Sequence, residues 1–109
     1  MEISFGTPTI RALCEKSKVA VKKLGDASAR KLRVRLSALE AAERVTDLVP
    51  GHPHPLKGDR RGQFALDLDG GKRLVFTPDH EPYPVKEDGG IDWSQVTAVR
   101  IEFIGDYHE

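Results

Sequence analysis

The segment FALDLDGGKRLVF, residues 64–76, decides the fold that this sequence predicts. Apolar side chains recur at every second position on both sides of a DGG turn at residues 69–71. A period of two on either side of a glycine-rich turn is typical of a β-hairpin. Because side chains alternate between the two faces of a strand, Arg73 is predicted on the face opposite Leu74 and Phe76.

One further strand and a long loop are predicted after this hairpin. Residues 99–103 alternate in the same way and predict a strand that leads directly into the triplet DYH at residues 106–108. Residues 78–92 contain three prolines, two glycines and five acidic residues, and this composition indicates an acidic loop.

The first half of the chain has a helical period instead. Thr7 and Pro8 are typical of an N-cap and a first helical residue, and Gly25 is a natural end. Asp26 is predicted to cap a second helix, and the proline-rich residues 50–55 exclude helix beyond it. The apolar positions at helical spacing are Ile10, Leu13, Cys14, Val21 and Leu24 in the first helix and Ala29, Leu32, Leu36, Leu39 and Ala42 in the second.

Together these elements predict an α+β fold in a single domain, residues 1–109. A short strand at residues 3–5 would precede the N-terminal helical hairpin, so the expected order is β-α-α-β-β-β. The helical hairpin is predicted to pack on a small twisted antiparallel β-sheet.

Composition and charge exclude several classes of protein. With one cysteine, Cys14, the chain can form neither an internal disulfide nor a cysteine-rich zinc site, which fits a reducing cytoplasm. No run approaches the ~18 apolar residues of a membrane span, and no signal peptide is expected. The net charge is zero, yet residues 1–61 contain 13 basic against 7 acidic residues, and residues 62–109 contain 4 against 10. The basic half fits either solvated helix faces or a surface for a phosphate backbone.

Three groups of reactive side chains are predicted to meet at one end of the sheet. The loop before the hairpin carries His54 and Lys57, the hairpin carries Arg73, and the last strand leads into residues 106–108. Such a set suits RNA cleavage, because a base can take the proton of a ribose 2′-OH and an acid can protonate the leaving oxygen. Cations stabilise the transition state, and no metal is required.

Each of these residues also has a purely structural interpretation. The loop histidines and cations can be solvated, Arg73 can pair with an acid across the sheet, and Tyr107 can cover the sheet edge. Trp93 is expected to anchor the acidic loop, and Cys14 is expected to pack in the core. A zinc site is a further alternative, although its four histidines have no recognised spacing: His52, His54, His80 and His108.

Several segments resemble the HigB-like (host inhibition of growth) branch of the RelE toxin superfamily. They are RLSALEAAERVTDL at residues 35–48, HPLKGDRRGQFALDLDGGKRLVF at 54–76, KEDGGIDWSQV at 86–96 and the DYH triplet. The resemblance implies a compact RelE-like microbial RNase fold and ribosome-dependent mRNA cleavage that leaves a 2′,3′-cyclic phosphate. It also implies a helix-turn-helix antitoxin (HigA-like) encoded nearby, operator DNA bound only through that antitoxin, and no cofactor.

The resemblance further implies which residues form the site. Six positions match the catalytic pattern of the family: His54, Lys57, Arg73, Asp106, Tyr107 and His108. We expect a histidine to transfer protons, Lys57 and Arg73 to hold the phosphate, Asp106 to orient a histidine, and Tyr107 to stack on a base or assist the proton relay. The expected phosphate contacts of the basic half are Arg30, Arg33, Arg60 and Arg61. The zero net charge favours one alternative, a non-catalytic module of the same fold that binds a partner protein or nucleic acid.

Overall fold

The three α-helices within residues 1–106 precede four of the five strands of the sheet. The computed structural model describes these residues of the chain. The elements, in chain order, are β1 (Glu2–Phe5), α1 (Pro8–Glu15), α2 (Ser17–Leu24), α3 (Asp26–Ala41), β2 (His54–Pro55), β3 (Phe64–Asp67), β4 (Arg73–Pro78) and β5 (Ala98–Gly105). Short 3-10 helices lie at residues 45–47, 58–60 and 93–95. The predicted α+β class is confirmed. No helix within residues 1–106 combines the length and the apolar composition needed to span a bilayer.

The five strands form one sheet in the order β1-β5-β4-β3-β2. The pairs β2–β3, β3–β4 and β4–β5 are antiparallel, as predicted, but β1 runs parallel to β5. The sheet is therefore mixed rather than wholly antiparallel. Only antiparallel neighbours can be joined by a tight hairpin, whereas the long intervening chain leaves β1 free to enter beside β5 in the parallel direction.

The first predicted helix is two helices, because the chain breaks at Lys16. Thr7 caps α1 as predicted, accepting a hydrogen bond from the Ile10 amide at 3.1 Å. Lys16 then takes an extended conformation, with φ −120° and ψ 105°, and α2 starts at the next residue, Ser17. The predicted apolar stripe is consequently wrong at one position: Ala20 is buried, whereas Val21 is exposed.

The start of α3 also differs in detail from the prediction. Gly25, with φ 86°, is the residue before the helix, and the Asp26 side chain is in the first turn rather than at the cap. A carboxylate in the first turn still stabilises the helix through its interaction with the positive end of the helix dipole. Ala29, Leu32 and Leu39 are buried on the predicted stripe.

The two faces of the sheet have different surroundings. On the first, which we call the helix face, the strands pack against α3 and its neighbours in the main core, whose central members are Leu32, Leu39, Leu66, Leu74, Phe76, Val99 and Ile101. On the second, which we call the open face, a smaller cluster contains Leu56, Ala65 and Val75, with Phe103 packed beside it. The Trp93 ring contacts Phe64 and Phe76, so it anchors the end of the acidic loop to the main core, as predicted.

Candidate functional site

Strand register places one predicted catalytic residue on the open face. His54 of β2 lies opposite Ala65 of β3, Ala65 lies opposite Val75, and Val75 lies opposite Phe103. Residues directly opposite each other in a sheet share a face, so these four form one row across it. His54 therefore belongs to the open face, opposite the side on which α1, α2 and α3 pack.

The next row toward one end of the sheet contains a pair of opposite charges. Asp67 of β3 lies opposite Arg73 of β4, and Arg73 lies opposite Gly105. The Arg73 Nε atom donates to Asp67 Oδ1 at 3.0 Å, and both side chains are about one third exposed. The predicted face of Arg73 is confirmed. Sequence reasoning did not single out Asp67, although two residues equidistant from the DGG turn are expected to face each other in a hairpin.

Two stacked histidines adjoin this charge pair. His52 has a positive φ of 51°, and its Nδ1 lies 3.4 Å from Asp67 Oδ2. The rings of His52 and His54 are stacked with centroids 4.5 Å apart. The Nδ1 atom of His54 lies 2.7 Å from the His52 carbonyl oxygen. A carbonyl only accepts, so His54 Nδ1 carries a proton, and in the neutral ring Nε2 holds the lone pair.

The backbone of Asp67 is fixed from two directions. Its amide donates to the Gly51 carbonyl at 2.7 Å, and its own carbonyl accepts from Arg35 Nε of α3 at 3.0 Å. A Cβ atom built on Gly51 would lie 2.5 Å from Arg35 Nε, and the φ of 88° at this position favours glycine as well. Arg35 is a second positioning residue that the helical pattern did not distinguish from its exposed neighbours.

The cationic loop before β3 lies beside the same face. Lys57 is exposed and precedes the 3-10 helix at residues 58–60. The Arg60 guanidinium lies 4.8 Å from the centroid of the Phe103 ring and donates to Gln63 Oε1 at 3.2 Å. Arg61 lines an open groove of about 590 Å³ that separates this loop from residues 83–93.

The last described residue, Asp106, lies at the same end of the sheet as Arg73. It directly follows β5, and both of its carboxylate oxygens lie 3.8 Å from a Cβ position built on Gly71 in the hairpin turn. Tyr107 and His108 lie outside the described residues. The open face thus brings His54, Arg73 and Asp106 toward one end.

Other predicted residues lie elsewhere. Arg30 and Arg33 are exposed on α3, which packs against the helix face, so they lie on the other side of the sheet from Arg73. His80 Nε2 accepts from the Thr97 amide at 3.1 Å, next to the start of β5. Eight residues of β5 at ~3.3 Å each separate that start from the Arg73 end by roughly 23 Å. The alternative zinc site that includes both His52 and His80 is therefore wrong.

Cys14 does not contribute a nucleophile. Its side chain packs against the main core, as predicted. Burial, together with the smaller effect of the nearby Glu15 carboxylate, raises the pKa of the thiol from 9.0 to about 12. At neutral pH the residue is a protonated, apolar packing group.

The open face combines side chains whose chemistry suits contact with an anionic group. His54 has a lone pair on Nε2, and Arg73 is oriented by the Asp67 carboxylate. The two residues lie two strands apart across the sheet and two residues apart along it. Strand spacing and rise place the Cα atoms of His54 and Arg73 about 12 Å apart, a span that the two side chains can close around one phosphate. Cleavage of RNA by its own 2′-hydroxyl uses a base and a cation of these kinds, together with an acid for the leaving oxygen.

Solved structures of bacterial toxins share this fold. The YoeB/ParE toxin from Agrobacterium tumefaciens has a TM-score of 0.58 at 14% identity, over 99% of this chain and 100% of that one. The YoeB–YefM complex from Staphylococcus aureus gives 0.55 at 19% identity, and the YoeB dimer from the same organism gives 0.58 at 18%. Both comparisons cover 100% of this chain and 98% of the other. No family model and no curated protein matches the sequence. The chain therefore has the fold of the YoeB toxins across its whole length.

Proposed function

We propose that this chain is the toxin of a type II toxin–antitoxin system and an endoribonuclease that cleaves mRNA on the ribosome. The observation that carries the proposal is the open face, where Arg73, oriented by Asp67, lies one row from His54. The fold shared with the YoeB toxins supports it. The sequence resemblance to the HigB-like branch supports ribosome dependence, and we propose one toxin domain, residues 1–109, that acts in the cytoplasm, which fits the single cysteine.

In the proposed reaction, the RNA supplies its own nucleophile. A base removes the proton of a ribose 2′-OH, the 2′-oxygen bonds to the adjacent phosphorus, and the bond from phosphorus to the 5′-oxygen breaks. An acid gives a proton to that 5′-oxygen, and a 2′,3′-cyclic phosphate remains. His54 or His108 fills the role of base or acid, while Lys57 and Arg73 stabilise the charge that develops on the phosphate oxygens.

The neighbouring residues complete the proposed site. Asp106 would orient a histidine, and Tyr107 would stack on a base or assist the proton transfer. Arg60 and Arg61 would hold the phosphates beside the cleaved bond, since both follow Lys57 in the same loop. Arg30 and Arg33, on the far side of the sheet, would contact a different stretch of RNA, such as ribosomal RNA.

A type II toxin also requires an antitoxin. The YoeB of Staphylococcus aureus forms a complex with YefM. For this chain we propose an antitoxin with a helix-turn-helix fold, encoded nearby, that neutralises the toxin and carries it to operator DNA.

Induction of the chain alone in cells, with mapping of mRNA 5′ ends, tests this function. We expect growth arrest and new 5′ ends in phase with the reading frame, because a ribosome-bound enzyme cuts at codon positions. His54→Ala should relieve the arrest, while His80→Gln, at the other end of the sheet, should not. Unimpaired growth despite accumulation of folded protein would contradict the proposal.

The charge balance of the site favours a second candidate, a non-catalytic binding module of this fold. Asp67 offsets the charge of Arg73, and the whole chain has zero net charge. Such a module would be harmless when expressed and would bind tightly to a neighbour-encoded protein. The induction experiment separates the two candidates, because only the enzyme produces new 5′ ends.

A further inference from the structure

Three metal-ligating side chains meet on the open face. Within residues 1–106, one group of at least three His, Cys, Asp or Glu residues has ligand atoms close enough to share an ion: His52, His54 and Asp67. One atom from each residue lies within 4.8 Å of the other two. The group draws on two separate segments, the loop before β2 and the end of β3, so the fold itself brings the ligands together.

Two of the three ligands, Asp67 and His54, are already oriented by a further hydrogen bond. Asp67 Oδ1 accepts from Arg73, while Oδ2 faces His52 Nδ1 at 3.4 Å. His54 Nδ1 donates to a backbone carbonyl, so the Nε2 atom is the one that can bind a metal. Metal-binding histidines commonly hold their second nitrogen in this way, and ligating carboxylates are commonly hydrogen-bonded too.

We propose that His52, His54 and Asp67 form a binding site for a dication of the zinc class. Bonds of about 2.05 Å at tetrahedral angles place neighbouring ligand atoms roughly 3.4 Å apart, and His52 Nδ1 and Asp67 Oδ2 already have that separation. Two imidazoles and one carboxylate suit Zn²⁺ rather than Mg²⁺, which prefers oxygen ligands. Three protein ligands leave the fourth position to water.

The ion would inhibit the proposed reaction rather than assist it, and this consequence rests on the proposed function. A bound dication takes the Nε2 lone pair of His54, so the residue can no longer accept a proton from a ribose hydroxyl. The site would then respond to the free zinc concentration, with an active metal-free state and an inactive loaded state.

Calorimetric titration of the full chain with ZnCl₂ tests the site directly. We expect one equivalent to bind with micromolar affinity, and MgCl₂ to give no binding. His52→Asn should weaken zinc binding at least about tenfold, because it removes a ligand, while asparagine tolerates the positive φ at this position. His80→Gln, which alters a histidine outside the group, should bind zinc as the natural sequence does.

Two results would overturn the site: no zinc binding by the natural sequence, or equal affinity in the His52→Asn variant. An RNA-cleavage assay then tests the inhibition. Added Zn²⁺ should abolish cleavage by the natural sequence but not by His52→Asn, and equal inhibition of both would refute it. If neither protein cleaves RNA without metal, the proposed function fails and the inhibition with it, whereas the titration still decides whether the zinc site exists.

Discussion

The helix face and the open face are the two sides of the same strands, but different elements of the structure cover them. On the helix face, Leu74, Phe76 and Ile101 are fully buried beneath three helices. On the open face, Ala65 and Val75 are equally buried, but among residues 1–106 their cover consists of Leu56, the Phe103 ring and the loop that contains Arg60. Hydrophobic burial on one face stabilises a sheet whose other face can then carry polar side chains.

The polar groups of the open face accordingly bind one another. Asp67 contacts Arg73 and His52 through its carboxylate and Arg35 through its carbonyl. No buried side-chain nitrogen or oxygen within residues 1–106 lacks a hydrogen-bond partner. A network whose members are all paired can lie beside a small apolar cluster without the cost of unsatisfied buried groups.

The largest expected difference between the two faces is in the stability lost when a buried leucine on each face is replaced by alanine. Leu74→Ala on the helix face should lower the free energy of unfolding by about 4 kcal/mol, because helices and strands enclose the cavity on all sides. Leu56→Ala on the open face should cost about 2 kcal/mol, because the thin cover can collapse into the space. Urea denaturation of both variants measures the two losses. Equal losses would show that the two faces are covered equally well.

Two glycines provide the next comparison. Gly25 and Gly51 both have positive φ, at 86° and 88°, but only Gly51 approaches another group, Arg35. Gly25→Ala should cost about 2 kcal/mol for its backbone conformation alone. Gly51→Ala should cost about 3 kcal/mol, because the new Cβ also displaces Arg35 from the Asp67 carbonyl. Thermal and urea unfolding of both variants measure this, and equal losses would mean that Arg35 gives way freely.

Sequence reasoning recovered the elements with strong local signals. The period of two around the DGG turn predicted β3 and β4, and the Thr7 cap predicted the start of α1. The break at Lys16 has no glycine or proline to mark it, so it depends on how α2 packs rather than on local propensity. The parallel entry of β1 is likewise decided by its pairing with β5, far away in the chain.

For the candidate site, alternation predicted the face of Arg73, and the expected alternative that Arg73 pairs with an acid across the sheet is confirmed by Asp67, but the sequence analysis did not name that acid or its other contacts. The link between Asp67 and Arg35 joins the sheet to α3, and the contact with His52 requires a positive φ in a non-glycine residue. Neither contact produces a periodic pattern of residues from which it could be predicted. Asp67 alone could have been found, because it mirrors Arg73 across the turn.

Replacing one arginine by alanine on each side of the sheet distinguishes an effect on RNA cleavage from an effect on stability. Arg73→Ala should lower the rate of RNA cleavage at least about 100-fold, equivalent to ~2.7 kcal/mol of transition-state stabilisation. Its free energy of unfolding should fall by no more than ~1 kcal/mol, since the ion pair with Asp67 is partly exposed. Arg11→Ala, which removes an exposed ion pair with Glu15 on α1, should leave cleavage unchanged. Single-turnover assays and urea unfolding test both. Comparable loss of cleavage in the two variants would refute a role for Arg73 in the site.

The smallest expected effect concerns Cys14, which packs on the helix side of the sheet. Its raised pKa means that the folded state holds the thiol proton more tightly than the unfolded chain does, for which 9.0 is the ordinary value. This contribution to stability is fully present below pH 9.0 and is lost as the pH rises from there toward about 12. Because the thiol is only partly buried, the loss should be smaller than the ~1.4 kcal/mol per pH unit that one proton allows.

A comparison with Cys14→Ser isolates this loss, because serine does not titrate in the same range. Urea unfolding of both proteins between pH 8 and pH 11, a window that includes the ordinary pKa of 9.0 and stays below the raised value of about 12, should show a steeper decline in the natural sequence. The thiolate absorbance of the folded protein should likewise appear only well above pH 9.0. Parallel stability profiles, with a thiol that ionises at its ordinary pKa, would show that Cys14 is as accessible to water in the folded protein as in the unfolded chain.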